Sequence, residues 1–145
     1  MLKQCFKIVD GRLTACRREE GQVHVYVKPD EAEQRHLIDT LRLDEHTLMS
    51  SLDPDELARL EFEPDHTVAI FKRPRYYTAA DHFLFKVFSV GAFLFKDKLI
   101  VTLSEEMDLF DSTKAYTRMH SPTDVFLRMI YRSIYHFLEH LRVIH

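Results

Sequence analysis

Residues 1–28 carry a strand pattern. Cys5-Phe6-Lys7-Ile8-Val9 and Arg12-Leu13-Thr14-Ala15-Cys16 flank Asp10-Gly11, a dipeptide that favours a two-residue hairpin because both central positions need positive φ. Residues 17–22 read as a polar turn. Val23-His24-Val25-Tyr26-Val27 follows as a β-branched run, with His24 expected to face outward. Pro29-Asp30-Glu31 then opens a helix, with proline near the first helical position and acids facing the helix dipole. Leu37, Ile38 and Leu41 supply its buried stripe. Asp44-Glu45-His46 opens a second short helix presenting Leu48, Met49 and Leu52. Asp53-Pro54 stops it, because the residue before a proline disfavours helical backbone.

The second half returns to strands. Leu60-Glu61-Phe62-Glu63 alternates, and the apolar run over residues 67–71 predicts an interior strand covered on both faces. Arg73-Pro74-Arg75 is expected to end it. Residues 83–90 alternate, Gly91 predicts a break, and Ala92-Phe93-Leu94-Phe95 resumes. Asp97-Lys98 turns into Leu99-Ile100-Val101-Thr102-Leu103. Residues 104–113 are polar and irregular, with one helical turn expected around 108–110. Ser121-Pro122-Thr123-Asp124 opens the last helix, with serine as N-cap. Over residues 125–144, Phe126, Ile130, Phe137, Leu141 and Ile144 make one seam, which Leu127, Ile134 and Leu138 widen. That stripe is broader than one face of a small domain needs, so the helix is expected to pack on something further. No internal repeat is present. The order predicts an α/β fold with a mixed sheet sandwiched by helices over residues 1–120, then the start of a long C-terminal helix over 121–145.

At 145 residues the chain suits one domain that buries roughly 70% of its unfolded surface. Hydrophobic residues at 46% and charged residues at 30% exclude a disordered tail. A formal charge of −3 gives no general attraction to nucleic acid. The two cysteines, Cys5 and Cys16, read as reduced thiols in a cytosolic setting. The start lacks a signal-peptide pattern, and the longest apolar runs fall short of the ~20 residues a spanning helix needs. The chain is therefore expected to be soluble.

Candidate chemistry is sparse. Both cysteines fall in predicted strands and read as small buried hydrophobes rather than nucleophiles. Walker, dinucleotide-binding and nucleophile-elbow motifs are missing from the sequence. His136 and His140 stand four apart on the last helix and could reach one ion. Lacking a third ligand at local spacing, they read as solvent-side or interface residues. His66 and His82 read as loop residues. The acids of Asp53-Pro54-Asp55-Glu56 and of Glu105-Glu106-Met107-Asp108 with Asp111 could suit a hard cation such as magnesium, but each reads by itself as a helix stop or solvated loop. Lys72-Arg73-Pro74-Arg75-Tyr76-Tyr77 has the outward form of a nucleic-acid patch and reads as a solvated loop.

Residues 52–61, Leu52-Asp53-Pro54-Asp55-Glu56-Leu57-Ala58-Arg59-Leu60-Glu61, lead through a short turn into the apolar strand. Together they resemble the N-terminal cytoplasmic domain of the CorA family of magnesium and divalent-cation transporters. Asp53, Pro54, Glu56, Arg59 and Glu61 match that family's segment, and Ala58 stands where proline is common. Lys98-Leu99-Ile100-Val101-Thr102 is similar to a family strand that ends in Thr-Val, and residues 121–145 look like the helix that begins the family's stalk.

This resemblance implies a non-enzymatic regulatory domain, one of five forming a cytoplasmic funnel at the inner membrane. The chain's own transmembrane pore segment, bearing a Gly-Met-Asn loop, would be its partner. Regulatory magnesium bound between subunits would hold the closed state; relatives carry zinc, cobalt or nickel. Neither membrane helices nor Gly-Met-Asn occur in this sequence, so the chain is expected to be a truncated part, monomeric or dimeric when isolated. The family's ion-binding acid follows the strand matching residues 67–72. The nearest acid here is Asp81, and Arg73 and Arg75 would oppose a cation nearby. Arg59 and Glu61 read as a structural pair that orients the turn. Two other readings remain: a stand-alone binding or scaffold domain of the same fold without transport, and a hydrolase using His136, His140 and an acid from elsewhere.

Overall fold

A computed structural model describes residues 1–74, 87–110 and 115–144. Seven strands form one sheet in the order β2-β1-β3-β7-β6-β5-β4. These are β1 (Leu2–Val9), β2 (Arg12–Ala15), β3 (Val23–Val27), β4 (Arg59–Phe62), β5 (His66–Pro74), β6 (Val87–Phe95) and β7 (Leu99–Leu103). Every neighbouring pair is antiparallel except β3 and β7, which run parallel from Val23↔Leu99 to Val27↔Leu103. The sheet is mixed, as expected. The first hairpin turns where predicted, with Asp10 at φ 51° and Gly11 at φ 77°.

Helices α1 (Glu31–Asp39) and α2 (Glu45–Ser51) cover one face. Helix α1 starts within the expected segment, with Glu31 as its first helical residue, two past Pro29. Asp30 is the N-cap, accepting from the Glu33 N–H at 2.8 Å, while Glu33 reaches back to the Asp30 N–H at 3.2 Å. Asp44 caps α2 by accepting from the Thr47 N–H at 3.0 Å. Leu37, Leu43 and Leu48 pack there with Tyr26, Val68, Ile70, Phe93 and Ile100.

Helix α3 (Pro122–Ile144) lies on the other face. Val125, Phe126 and Met129 close a larger core over Val25, Ala69, Val90, Ala92 and Val101. Leu109, Phe110, Tyr116 and Met119 extend this core toward Phe6, whose ring stands edge-on to Phe110 at 5.0 Å. The backbone turns over Leu109 and Phe110, and Asp108 Oδ1 accepts from the Phe110 N–H at 3.1 Å.

Three strand expectations need correction. Gly91 does not break its strand: β6 runs through it and pairs with β5 from Val87 to Phe95. The glycine is there for approach, since a Cβ would lie 2.5 Å from both Ser51 Cβ and Thr102 Oγ1. β5 continues through Arg73 and Pro74, which pair with Phe88 and Val87. The β6–β7 turn centres one residue early, closed by the Phe95 N–H donating to Lys98 O at 2.8 Å.

Candidate functional site

The acidic segment after α2 is a self-satisfied turn. Asp53 Oδ1 accepts from the Asp55 N–H at 2.9 Å, and the Asp53 carbonyl accepts from the Glu56 N–H at 3.1 Å and from Lys72 Nζ at 3.0 Å. Pro54 lies exposed at its tip. Arg59 Nε meets Glu61 Oε1 at 2.8 Å, and its guanidinium reaches Glu56 at 3.6 Å. Half-buried acids thus spend their charge on Arg59, so this geometry orients the entry to β4 rather than presenting ligands. Among the described residues, no group of three or more His, Cys, Asp or Glu is placed to hold a metal ion.

β4 shows an inverted alternation. Arg59 and Glu61 are half-buried, whereas Leu60 and Phe62 are 53% and 78% exposed. The edge strand therefore presents its apolar side outward, an exposure that soluble edges usually avoid.

The Lys72-Arg73-Pro74 part of the basic stretch is strand, not loop, and its two cations face opposite sides of the sheet. Lys72 reaches the end of α2, as above, and Ser89 Oγ at 3.3 Å. Arg73 is 6% exposed, with its guanidinium 3.3 Å from His136 Nδ1. His136 and His140 stack edge-on at 4.7 Å. Both are buried against the sheet, which corrects their expected solvent-side placement. The helix needs polar residues there because β5 outruns its partner β4: Lys72 O is left to accept from Ser133 Oγ, at 2.7 Å. Burial, then the Arg73 charge, then His140 lower the His136 pKa from 6.5 to about 4. The imidazole is thus neutral at pH 7, but the adjacent guanidinium opposes a metal cation at the same atoms. A buried stripe at 126, 129, 133, 136 and 140 was the available signal. Serine and histidine interrupt its apolar character, which masks it in the sequence.

The expected metal residue Asp81 lies outside the described residues, as do Arg75, Tyr76, Tyr77 and His82. His66 is not a loop residue: it begins β5, buried, with Nδ1 2.6 Å from Asp65 Oδ1 and its ring stacked 4.6 Å from Phe95. His24 faces inward, at 5% exposure, against the expectation. Cys5 lies in β1, and Cys16, just past β2, donates its N–H to Cys5 O at 2.9 Å. Burial raises both thiols' pKa values, which leaves them poor nucleophiles.

The outer side of α3 is apolar and uncovered among the described residues. Leu127, Tyr131, Ile134, Tyr135, Leu138 and Leu141 are all exposed. The predicted wide stripe exists, with its sheet-facing half rotated toward Met129, Ser133 and His136. No described helix is long and apolar enough to cross a membrane.

No protein-family model matches the chain, and no curated protein sequence matches it. Solved structures do. The complete structure of the CorA magnesium transporter from Methanocaldococcus jannaschii aligns with 97% of this chain at TM-score 0.69 and 16% identity. The full-length CmaX protein aligns with 91% at 0.67 and 13% identity. The ZntB cytoplasmic domain from Vibrio parahaemolyticus RIMD 2210633 aligns with 99% at 0.67 and 11% identity. The chain spans 46%, 45% and 62% of those proteins, respectively. The seven-stranded mixed sheet, its flanking helices and the long closing helix are thus the fold of the CorA and ZntB cytoplasmic domains.

Proposed function

We propose that the chain is the cytoplasmic regulatory domain of a CorA-like transporter of magnesium or another divalent cation. It would stand at the inner face of the cell membrane, non-enzymatic, beside four further copies and its own pore segment. Occupancy of an inter-subunit ion would be converted there into a bias on the pore, a coupling of about 1–3 kcal/mol. The observation carrying this reading is a shared fold along nearly the whole chain, joined to α3, whose exposed apolar side is the kind of surface an assembly covers. Asp81 is the proposed regulatory ligand.

The test uses the gene's full product. Its sequence downstream of residue 145 should contain two apolar spans of about 20 residues around a Gly-Met-Asn-like loop. Expressed in bacteria lacking magnesium uptake, it should restore uptake, and raised cytoplasmic magnesium should suppress that uptake. Asp81→Ala should weaken the suppression several-fold. A product without the two spans would leave the scaffold reading in its place. Unchanged suppression in the variant would remove Asp81 from the mechanism but leave transport standing.

A further inference from the structure

On the α1 side of the sheet, a cavity of about 430 Å³ opens between β3, the turn over Arg18–Glu20 and the β6–β7 turn. Its wall includes His24 and Tyr26 of β3, and its lip carries Arg18, Glu19 and Lys98. His24 is 5% exposed, its Nε2 shut off from solvent against Gly21, with the backbone of Arg18 and Gly21 meeting the ring. Gly21 permits this arrangement, since a Cβ there would stand 2.6 Å from Nε2.

Charge at the cavity is unbalanced toward positive. Burial and then Lys98 hold the His24 pKa below its ordinary value; Arg18 also lowers it, against an upward pull from the backbone of Arg18 and Gly21. The ring is therefore neutral at pH 7, which leaves Arg18 and Lys98 as the cations of the cavity. Arg18 lies near Tyr26 as well, where it opposes the rise that burial imposes on the hydroxyl. Neighbouring acids are engaged elsewhere: Glu20 pairs with Lys7 at 3.3 Å, and Glu33 with the N-terminal amine at 2.7 Å. Arg18 and Lys98 make no ion pair among the described residues. Two fixed cations thus face the single lip carboxylate of Glu19, in a protein whose overall charge is −3.

We infer that this cavity binds a small phosphate-bearing anion, with Arg18 and Lys98 supplying charge and the Tyr26 hydroxyl supplying a directed hydrogen bond. A guanidinium fork and an ammonium together suit a tetrahedral oxyanion. The volume exceeds what one phosphate fills, and Leu41 gives part of the wall an apolar surface, so the phosphate could arrive free or on a nucleoside. This site is independent of the proposed transport role.

The probe is NMR titration of the labelled chain at constant ionic strength with sodium phosphate, adenosine monophosphate and sodium chloride in turn. Saturable shifts are expected at the His24 ring, Tyr26 and the Gly21 amide with phosphate, at a Kd of about 1 mM or tighter, and none with chloride. Lys98→Gln, which keeps the backbone bond that closes the β6–β7 turn, should weaken binding about tenfold with an unchanged melting temperature; Arg18→Gln should do the same. Arg142→Gln on α3 should change nothing. Tighter binding of the nucleotide than of phosphate would identify a nucleotide as the source, and equal binding would identify free phosphate. Shifts that stay linear, that chloride reproduces, or that Lys98→Gln leaves intact would overturn the site.

Discussion

Adding one methyl group at residue 91 should be among the most damaging small changes in this protein. Gly91→Ala would press against Ser51 and Thr102, whose hydroxyls are bonded to each other at 2.9 Å in a closed layer. The expected cost is about 1–3 kcal/mol by urea unfolding; a change under a few tenths would show that α2 can lift off the sheet. His136 sets a second expectation. Its folded pKa of about 4 lies below its unfolded value of 6.5. Between those limits the unfolded chain takes up a proton that the folded chain refuses, so stability should fall as pH drops from about 6.5 to 4. Facing groups are Arg73, His140, Glu139 and Arg132. His136→Gln, which can still accept from Arg73, should flatten that decline; a decline of unchanged depth would assign it to other groups. Single residues differed in how readable they were. Asp10-Gly11 and Asp44 act through their own backbone, so local chemistry announces them. Gly91, His24 and His136 take their meaning from elements that are distant in sequence, and no local pattern separates a strand break from a close approach.

At the scale of elements, the joint between α3 and β5 is where pattern and packing diverge. The sheet-facing stripe of α3 starts apolar at Phe126 and Met129 and turns polar at Ser133, His136 and His140. The cause lies in the sheet: β4 covers only residues 67–70 of β5, so the rest of that strand offers polar backbone and a buried arginine to the helix. Ser133→Ala should therefore destabilise by about 1 kcal/mol through the loss of the bond to Lys72 O, measured as a shift in the urea midpoint at constant slope. No shift would mean that Phe126 and Met129 hold the helix unaided. Helix and strand identities along the chain were legible because periods of 3.6 and 2 survive in the sequence. The rotation of α3 was not, since a stripe apolar on two sides leaves open which side meets the sheet. β4 hid its orientation in the same way, since alternation reveals two faces without saying which one is buried.

For the molecule as a whole, the order strands, helix pair, strands, long helix foretold a mixed sheet in a sandwich, and the resemblance to CorA domains rested on that order. Strand neighbours were beyond reach: the parallel contact of β3 with β7 joins residues more than seventy positions apart, and nothing in either strand's composition names the other. That contact has a mechanical consequence. β3 sends Val23, Val25 and Val27 to the α3 core and Tyr26 to the α1–α2 core, while β7 divides Leu99, Val101 and Leu103 from Ile100 in the same manner. Each core therefore depends on strands that the other also holds, and neither layer can melt without exposing the far face of the sheet. The domain should unfold in one step despite its two apolar clusters. With 3-fluorotyrosine incorporated, the fluorine signals of Tyr26 on one side and Tyr116 on the other should lose native intensity at the same urea concentration, and calorimetric and van't Hoff enthalpies should agree. On the proposed role, this rigidity is what lets an ion bound at one surface tilt the whole domain against a pore rather than loosen one layer. Should Tyr26 melt first, α1 and α2 form a separate yielding layer, and a bias passed through the domain as a single body would be physically untenable.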